Sequence, residues 1–229
     1  MSFSFKCFTL QQDHCAMKVG TDGVLLGAWA SGGCRILDVG TGTGLIAMMM
    51  AQRFPDALVD AIDIDADACM QALQNIADSP FSLRVKTYHS SLQSFLAENS
   101  YDSIVCNPPF FENSLKNPDE KRTLARHTDS LSCRDLFKCV CRMLADDGKF
   151  SIIIPEDRTD YFISESCISG LYMSRSCKIK TTVKKQPKRS MLEFAKKKPS
   201  VVEQVVECMQ NSDGSRSDWY KKLTDDFYL

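Results

Sequence analysis

Residues 34–54 restrict most how this chain can fold. An apolar run at 34–39 passes into Asp38-Val39-Gly40-Thr41-Gly42-Thr43-Gly44, then into an apolar stretch at 45–54 that Pro55 stops. A short extended run, glycines and then a helix-length run make a strand-turn-helix unit. The three alternating glycines let the backbone turn sharply out of the strand and let a ligand approach it closely. A strand that feeds a helix in this way is joined by a crossover to a parallel neighbour, so an α/β sheet is the expected architecture.

The alternation continues along the chain. Residues 58–63, 83–88, 101–106 and 150–154 read as further strands, with helical patterns at 65–77, 92–97, 132–145 and 157–169. Asn107-Pro108-Pro109 ends the fourth strand, because proline has no N–H for the ladder and drives its predecessor out of helical geometry. From residue 172 the pattern changes. Residues 172–183 and 189–195 read as two strands joined by Lys185-Gln186-Pro187-Lys188, with no helix between them. Five strand-helix units and a hairpin predict a doubly wound, seven-stranded, mainly parallel sheet with an antiparallel terminal hairpin. The 229 residues, 44% hydrophobic and 25% charged, suit one domain spanning the whole chain, with a C-terminal helix at 215–229.

Composition removes several function classes. The eleven cysteines are an odd number, and Cys139-x-Cys141 fits no metal-ligand spacing, so reduced thiols and no metal are expected. No leader-like segment and no uncharged apolar run of membrane-spanning length occur, which predicts a cytoplasmic protein with no membrane partner. With 28 Lys plus Arg against 29 Asp plus Glu, the net charge of −1 exerts no global pull on nucleic acid.

Asp63 ends the second strand nineteen residues after Gly44, where a carboxylate can accept both hydroxyls of a ribose. Gly42-x-Gly44-x-x-Ala47 also satisfies a dinucleotide pattern, so the glycines alone leave NAD and S-adenosylmethionine open. Asp38 tilts the balance, since an acid two residues before Gly40 repels a pyrophosphate but suits the cationic methionine end of S-adenosylmethionine. Asn107-Pro108-Pro109-Phe110 follows the fourth strand, at the edge where open α/β sheets bind ligands. The Asn107 amide oxygen and the Pro108 carbonyl are two acceptors in a stiff frame, matched to the two hydrogens of a planar exocyclic amine. Accepting both favours a pyramidal nitrogen and aims its lone pair at an electrophilic methyl. Phe110 then stacks on a target base that is unpaired or flipped out.

These motifs resemble the class I S-adenosylmethionine-dependent methyltransferases of the amino-methylating type, a Rossmann-like family. Phe8-Thr9, the run from Cys15 to Trp29, Asp38 to Gly44, Asn107 to Phe110, Ala125-Arg126-His127, Lys188-Arg189 with Leu192, and Phe227-Tyr228-Leu229 resemble more closely the bacterial tRNA adenine-N6 methyltransferases acting on position 37 of a valine tRNA. The resemblance spans nearly the whole chain. It implies that Asp38, Gly40, Gly42 and Gly44 line the methionine end of S-adenosylmethionine, that Asp63 holds its ribose, and that Asn107, Pro108 and Phe110 meet the target adenine. Residues 1–33 become an extension over the pocket, with 18–23 closing it. Where the family has an acid for the cofactor's adenine, this chain has Ser91 followed by Leu92. Related families with an Asn-Pro-Pro-aromatic tip methylate guanine N2 in ribosomal RNA or a protein glutamine, and a non-catalytic RNA-binding module is a further alternative.

The near-zero net charge conceals a segregation. Residues 175–198 hold ten Lys plus Arg and one acid, Glu193, leaving 18 basic and 28 acidic residues elsewhere. A segment at +9 on a body at −10 is an electrostatic footprint for phosphates. Lys184, Lys185, Lys188 and Arg189, with Arg126 near the tip, are therefore the candidate contacts to a tRNA anticodon loop. A monomer is expected.

Overall fold

The computed structural model describes residues 2–13, 18–108 and 131–229. Parallel strands β3 (Arg35–Val39), β4 (Leu58–Asp63), β5 (Val85–His89), β6 (Tyr101–Cys106) and β7 (Leu144–Pro155) form the body of the sheet. Next to β7, β9 (Arg189–Ala195) runs antiparallel and pairs in turn with antiparallel β8 (Tyr172–Thr182). This is the expected terminal hairpin. An eighth strand, β10 (Glu203–Gln210), lies parallel to β8 at the edge and completes the order β10-β8-β9-β7-β6-β3-β4-β5. The seven expected strands are present, and β10 extends them. Its first residues are mostly exposed, so its sequence lacks the buried apolar run that marks the others.

Helices cover both faces. On one lie α1 (Thr21–Trp29), α2 (Leu45–Arg53) and α3 (Ala66–Ala77), and on the other α4 (Cys133–Met143) and α5 (Thr159–Ile168). The strand residues sort by parity. Ile36, Val105, Ile153 and Met191 enter the core with Leu25, Met48 and Met49, whereas Leu37, Ile104, Ile152 and Leu192 join Phe137, Val140 and Phe162. Alternation in strands buried on both faces is why they read as continuous apolar runs.

Three elements differ from the sequence reading. The stretch at 92–97 is one turn, not a helix: the Ser91 carbonyl accepts from the N–H of Phe95, and buried Leu92 and Phe95 are brought to one side. The N-terminal extension contains α1 and a hairpin of β1 (Ser2–Ser4) and β2 (Thr9–Gln11). At the C-terminus α6 spans only Asp218–Thr224, capped by the Ser217 hydroxyl, and the following Phe227 is buried. The Phe5 ring lies 4.8 Å from Phe8 and 5.9 Å from Tyr228, so the two chain ends close over one another.

Close approach of α1 to α2 needs small residues. A Cβ at Gly23 would stand 3.0 Å from Leu45 Cδ2, and one at Gly27 would stand 2.8 Å from Met49 Sδ. Glycines at i and i+4 share one helix face and here oppose another i, i+4 pair. This contact sets α1 beside the glycine turn.

Candidate active site

The C-terminal ends of β3, β4, β6 and β7 share one edge of the sheet, and the site is built there. Gly40, Gly42 and Gly44 have φ of +71°, +56° and +83°. A Cβ at Gly40 or Gly42 would meet nothing within 4 Å, so this turn offers bare backbone to open space. The N–H groups of Gly40 and Thr41 bond the Ile62 carbonyl, tying the turn to the end of β4. Asp63 fastens it from the side: Oδ2 accepts from the N–H of Gly42 at 2.8 Å, and Oδ1 accepts from the N–H of Asp65 at 2.9 Å. One lone pair on each carboxylate oxygen is left to face a ligand.

Asp38 is fully buried. Its Oδ2 accepts from the Thr41 hydroxyl at 2.7 Å and from the N–H of Ala47 at 3.1 Å, while Oδ1 is buried with no partner. Burial, only partly offset by these bonds, pushes its carboxyl up to about 7. Asn107 stands one residue past β6, and its Oδ1 is likewise buried and unpartnered. Two orphaned acceptors on adjacent strands are costly for a protein to keep unless a ligand supplies the donors. The cationic ammonium of S-adenosylmethionine suits Asp38, an amine suits Asn107, and the bare glycine turn accommodates a chain between them. The residues present fit that cofactor.

Neighbouring groups narrow the chemistry. Cys106, buried just before Asn107 and opposite Val39 in the sheet ladder, has its thiol pushed far up by burial and by the Asp38 and Asp63 charges, so it is no nucleophile. At Ser91, where the resemblance implies an acid, the side chain serves the local turn. Its hydroxyl donates to Ser94 Oγ at 3.0 Å and accepts from the N–H of Ser94 at 3.2 Å, closing the local turn. The Leu92 side chain is in the core beside Phe95, which leaves its backbone as what it can present to a ligand. Pro108 is buried next to Asn107, whereas Pro109, Phe110, Arg126 and His127 lie outside the described residues.

The basic segment is divided by the fold. Arg189 opposes Pro155 of β7, so the turn carrying Lys184, Lys185 and Lys188, all exposed, is at the same edge as Asn107. Lys196 and Lys197 are at the other edge, paired with Asp146 and Asp147 at 3.5 and 2.6 Å. Half-buried Arg175 meets buried Glu193, Lys178 meets Glu156, and Arg189 meets Asp22 at 2.8 Å. The excess of +9 is therefore not one patch, and Arg189, a candidate RNA contact, is engaged by Asp22 within the chain.

Two positioning contacts add to the sequence reading, which placed Gly23 only within the 18–23 segment over the pocket. Gly23 sits against Asn107, since a Cβ there would come 3.9 Å from Nδ2. Asn75, 1% exposed, accepts from the N–H of Gln11 and donates to the carbonyls of Gln11 and Thr43, fixing β2 to the glycine turn. Two amides four residues apart, Gln71 and Asn75, on the buried face of α3 were the available signal.

Comparison with known proteins agrees with this geometry. The family model of the methyltransferase small domain matches residues 23–159. A tRNA1(Val) (adenine(37)-N6)-methyltransferase of Parabacteroides distasonis is 47% identical over 236 residues, covering 99% of this chain and 97% of its own. The chain belongs to this methyltransferase family. A namesake from Pseudoalteromonas translucida is 39% identical and spans 99% of this chain and 98% of its own. Among solved structures, the methyltransferase shares its fold with a predicted O-methyltransferase of Agrobacterium tumefaciens, at TM-score 0.65 and 18% identity over 90% of this chain and 96% of that one. A TehB-like SAM-dependent methyltransferase of Corynebacterium glutamicum gives 0.54 at 19% identity, over 80% and 90%.

Proposed function

We propose that this methyltransferase transfers a methyl group from S-adenosylmethionine to the exocyclic N6 of adenine 37 in the anticodon loop of a valine tRNA, acting as a monomer. The observation that carries the reading is the buried, unpartnered Asn107 Oδ1 at the end of β6, beside the glycine turn and the equally unpartnered Asp38 Oδ1. Full-length relatives that bear this activity in their names support the choice of substrate.

S-adenosylmethionine supplies a methyl group on a positively charged sulfur. Asp38 holds its ammonium end, the Gly40 to Gly44 turn its backbone-facing side, and Asp63 its ribose hydroxyls. The Asn107 amide oxygen and the Pro108 carbonyl take the two hydrogens of the adenine amine and turn its lone pair out of the ring. Phe110 supports the base by stacking. Once alkylated, the nitrogen is cationic and acidic, and its proton passes to water, so no side-chain base is required. Lys184, Lys185 and Lys188, with Arg126, hold loop phosphates.

The test is methylation of unmodified tRNA transcripts with labelled donor, followed by identification and mapping of the product nucleoside. N6-methyladenosine at position 37 is expected. Label recovered as N2-methylguanosine or on a protein glutamine, or no transfer at all, overturns the reading.

A further inference from the structure

Two carboxylates at the ligand edge take basic side chains of the hairpin out of the set that can meet phosphate. Glu156 holds Lys178 at 2.6 Å, and Asp22 Oδ2 accepts from Arg189 Nε at 2.8 Å. The second pair joins residues 167 apart in sequence: the first turn of α1 and the first residue of β9. Both side chains are largely shielded, Asp22 24% and Arg189 32% exposed, unlike the open Lys197–Asp147 pair at 73% and 86%. Shielding reduces screening, and a carboxylate in a helix's first turn is favoured by the helix dipole.

The pair's location gives it a consequence. Asp22 precedes Gly23, where a Cβ would stand 3.0 Å from Leu45 Cδ2 and 3.9 Å from Asn107 Nδ2. Arg189 follows Lys188 directly and opposes both Pro155 on β7 and Ile179 on β8. One end of the ion pair thus touches the turn that bears the exposed lysines, and the other touches the helix turn behind the amine acceptor.

We infer that Asp22 and Arg189 are a positioning pair for methyl transfer. They hold the first turn of α1, and through Gly23 the Asn107 amide, in fixed register with the hairpin that grips the RNA. Arg189 acts through Asp22 and not as a phosphate contact. The inference rests on the tRNA methylation proposed above, and the reacting groups of that mechanism are unchanged by it.

The test compares full-length wild type, Asp22→Asn, Arg189→Gln and the charge exchange Asp22→Arg/Arg189→Asp. Lys184→Glu/Lys185→Glu serves as the comparator. Each is assayed on unmodified valine tRNA transcript with labelled S-adenosylmethionine, and each is examined as protein alone by deuterium exchange over residues 20–29. Both single variants are expected to lower kcat about tenfold or more while KM for tRNA moves less than about twofold, because small misplacements of a positioned group act on the transition state. Both should speed exchange in residues 20–29, and the charge exchange should restore rate and protection together. The lysine comparator should act mainly on KM. The inference is overturned if Arg189→Gln raises KM as the lysine variants do while Asp22→Asn behaves as wild type, or if neither single variant alters exchange at 20–29. Failure of wild type to methylate any tRNA would remove the proposed function alone, and the exchange data would still decide whether the pair fixes α1.

Discussion

Of the side-chain oxygens left without partners, Asp38 Oδ1 belongs to a group that titrates and Asn107 Oδ1 to one that does not. Burial raises the Asp38 carboxyl to about 7, well above its value in an unfolded chain. Between about pH 4 and 7 the ligand-free folded state therefore keeps a proton that the unfolded state has released, and folding stability falls as pH rises through that window. Donor binding has the opposite slope, because the ammonium group is attracted by the ionised form. Affinity for S-adenosylmethionine, measured by calorimetry, should fall about tenfold per pH unit below 7 and level off above it. Asp38→Asn should flatten that profile and weaken binding about tenfold to a hundredfold at pH 8, the loss of one charge-assisted contact. Asn107 is neutral and should contribute no such slope. Asn107→Ala should bind donor almost as wild type yet lose about a hundredfold or more in kcat, because the acceptor acts on the nitrogen only as it pyramidalises. Wild-type turnover by a folded, donor-binding Asn107→Ala would remove the assigned mechanism.

At the scale of elements, α1 depends on two glycines more than on its own helical tendency. Everything from Gly23 to Ala28 is buried, so the helix has no polar face and its sequence shows no amphipathic period. Gly27→Ala places a methyl 2.8 Å from Met49 Sδ and 3.1 Å from Met49 Cβ. Overpacking of this kind costs about 1–3 kcal/mol, more than the roughly 1 kcal/mol that alanine returns as helix propensity. A lowered thermal midpoint is expected, with Gly27→Ala/Met49→Ala costing less than the sum of the single changes. Strict additivity would show that the α1–α2 contact is not the cause. This helix also shows what a sequence can and cannot yield. The glycine turn, Asp63 and Asn107 were legible because each lies at the end of a strand whose apolar run and breakers are local. Helix α1 was not, since a uniformly buried stretch lacks a period, and β10 was not, since an exposed edge strand lacks an apolar run. The bond between Asp22 and Arg189 joins positions that only the sheet order brings together.

Over the whole molecule, charge is arranged by edge and not by segment. Local counting gives 175–198 an excess of +9, but the direction of β9 sends its two ends to opposite edges of the sheet. Lys184, Lys185 and Lys188 arrive at the edge that holds Asn107, whereas Lys196 and Lys197 are matched to Asp146 and Asp147 at the other. Arg175, Lys178 and Arg189 are paired within the chain with Glu193, Glu156 and Asp22. Among the described residues of 175–198, the exposed lysines that reach the site's edge are thus those of a short turn, a shape that suits a tight loop better than a long duplex track. Each lysine that meets a phosphate adds roughly one to the slope of log affinity against log salt. Lys184→Glu/Lys185→Glu/Lys188→Glu should therefore weaken tRNA binding at low salt by more than about a hundredfold and flatten that slope by about two to three, with donor affinity kept. Lys196→Glu/Lys197→Glu alters net charge by two-thirds as much yet sits at the wrong edge, and should leave the slope within about one of wild type. Equal losses from the two sets would mean that tRNA responds to overall charge, and the turn beside Asn107 would lose its claim to be the RNA contact.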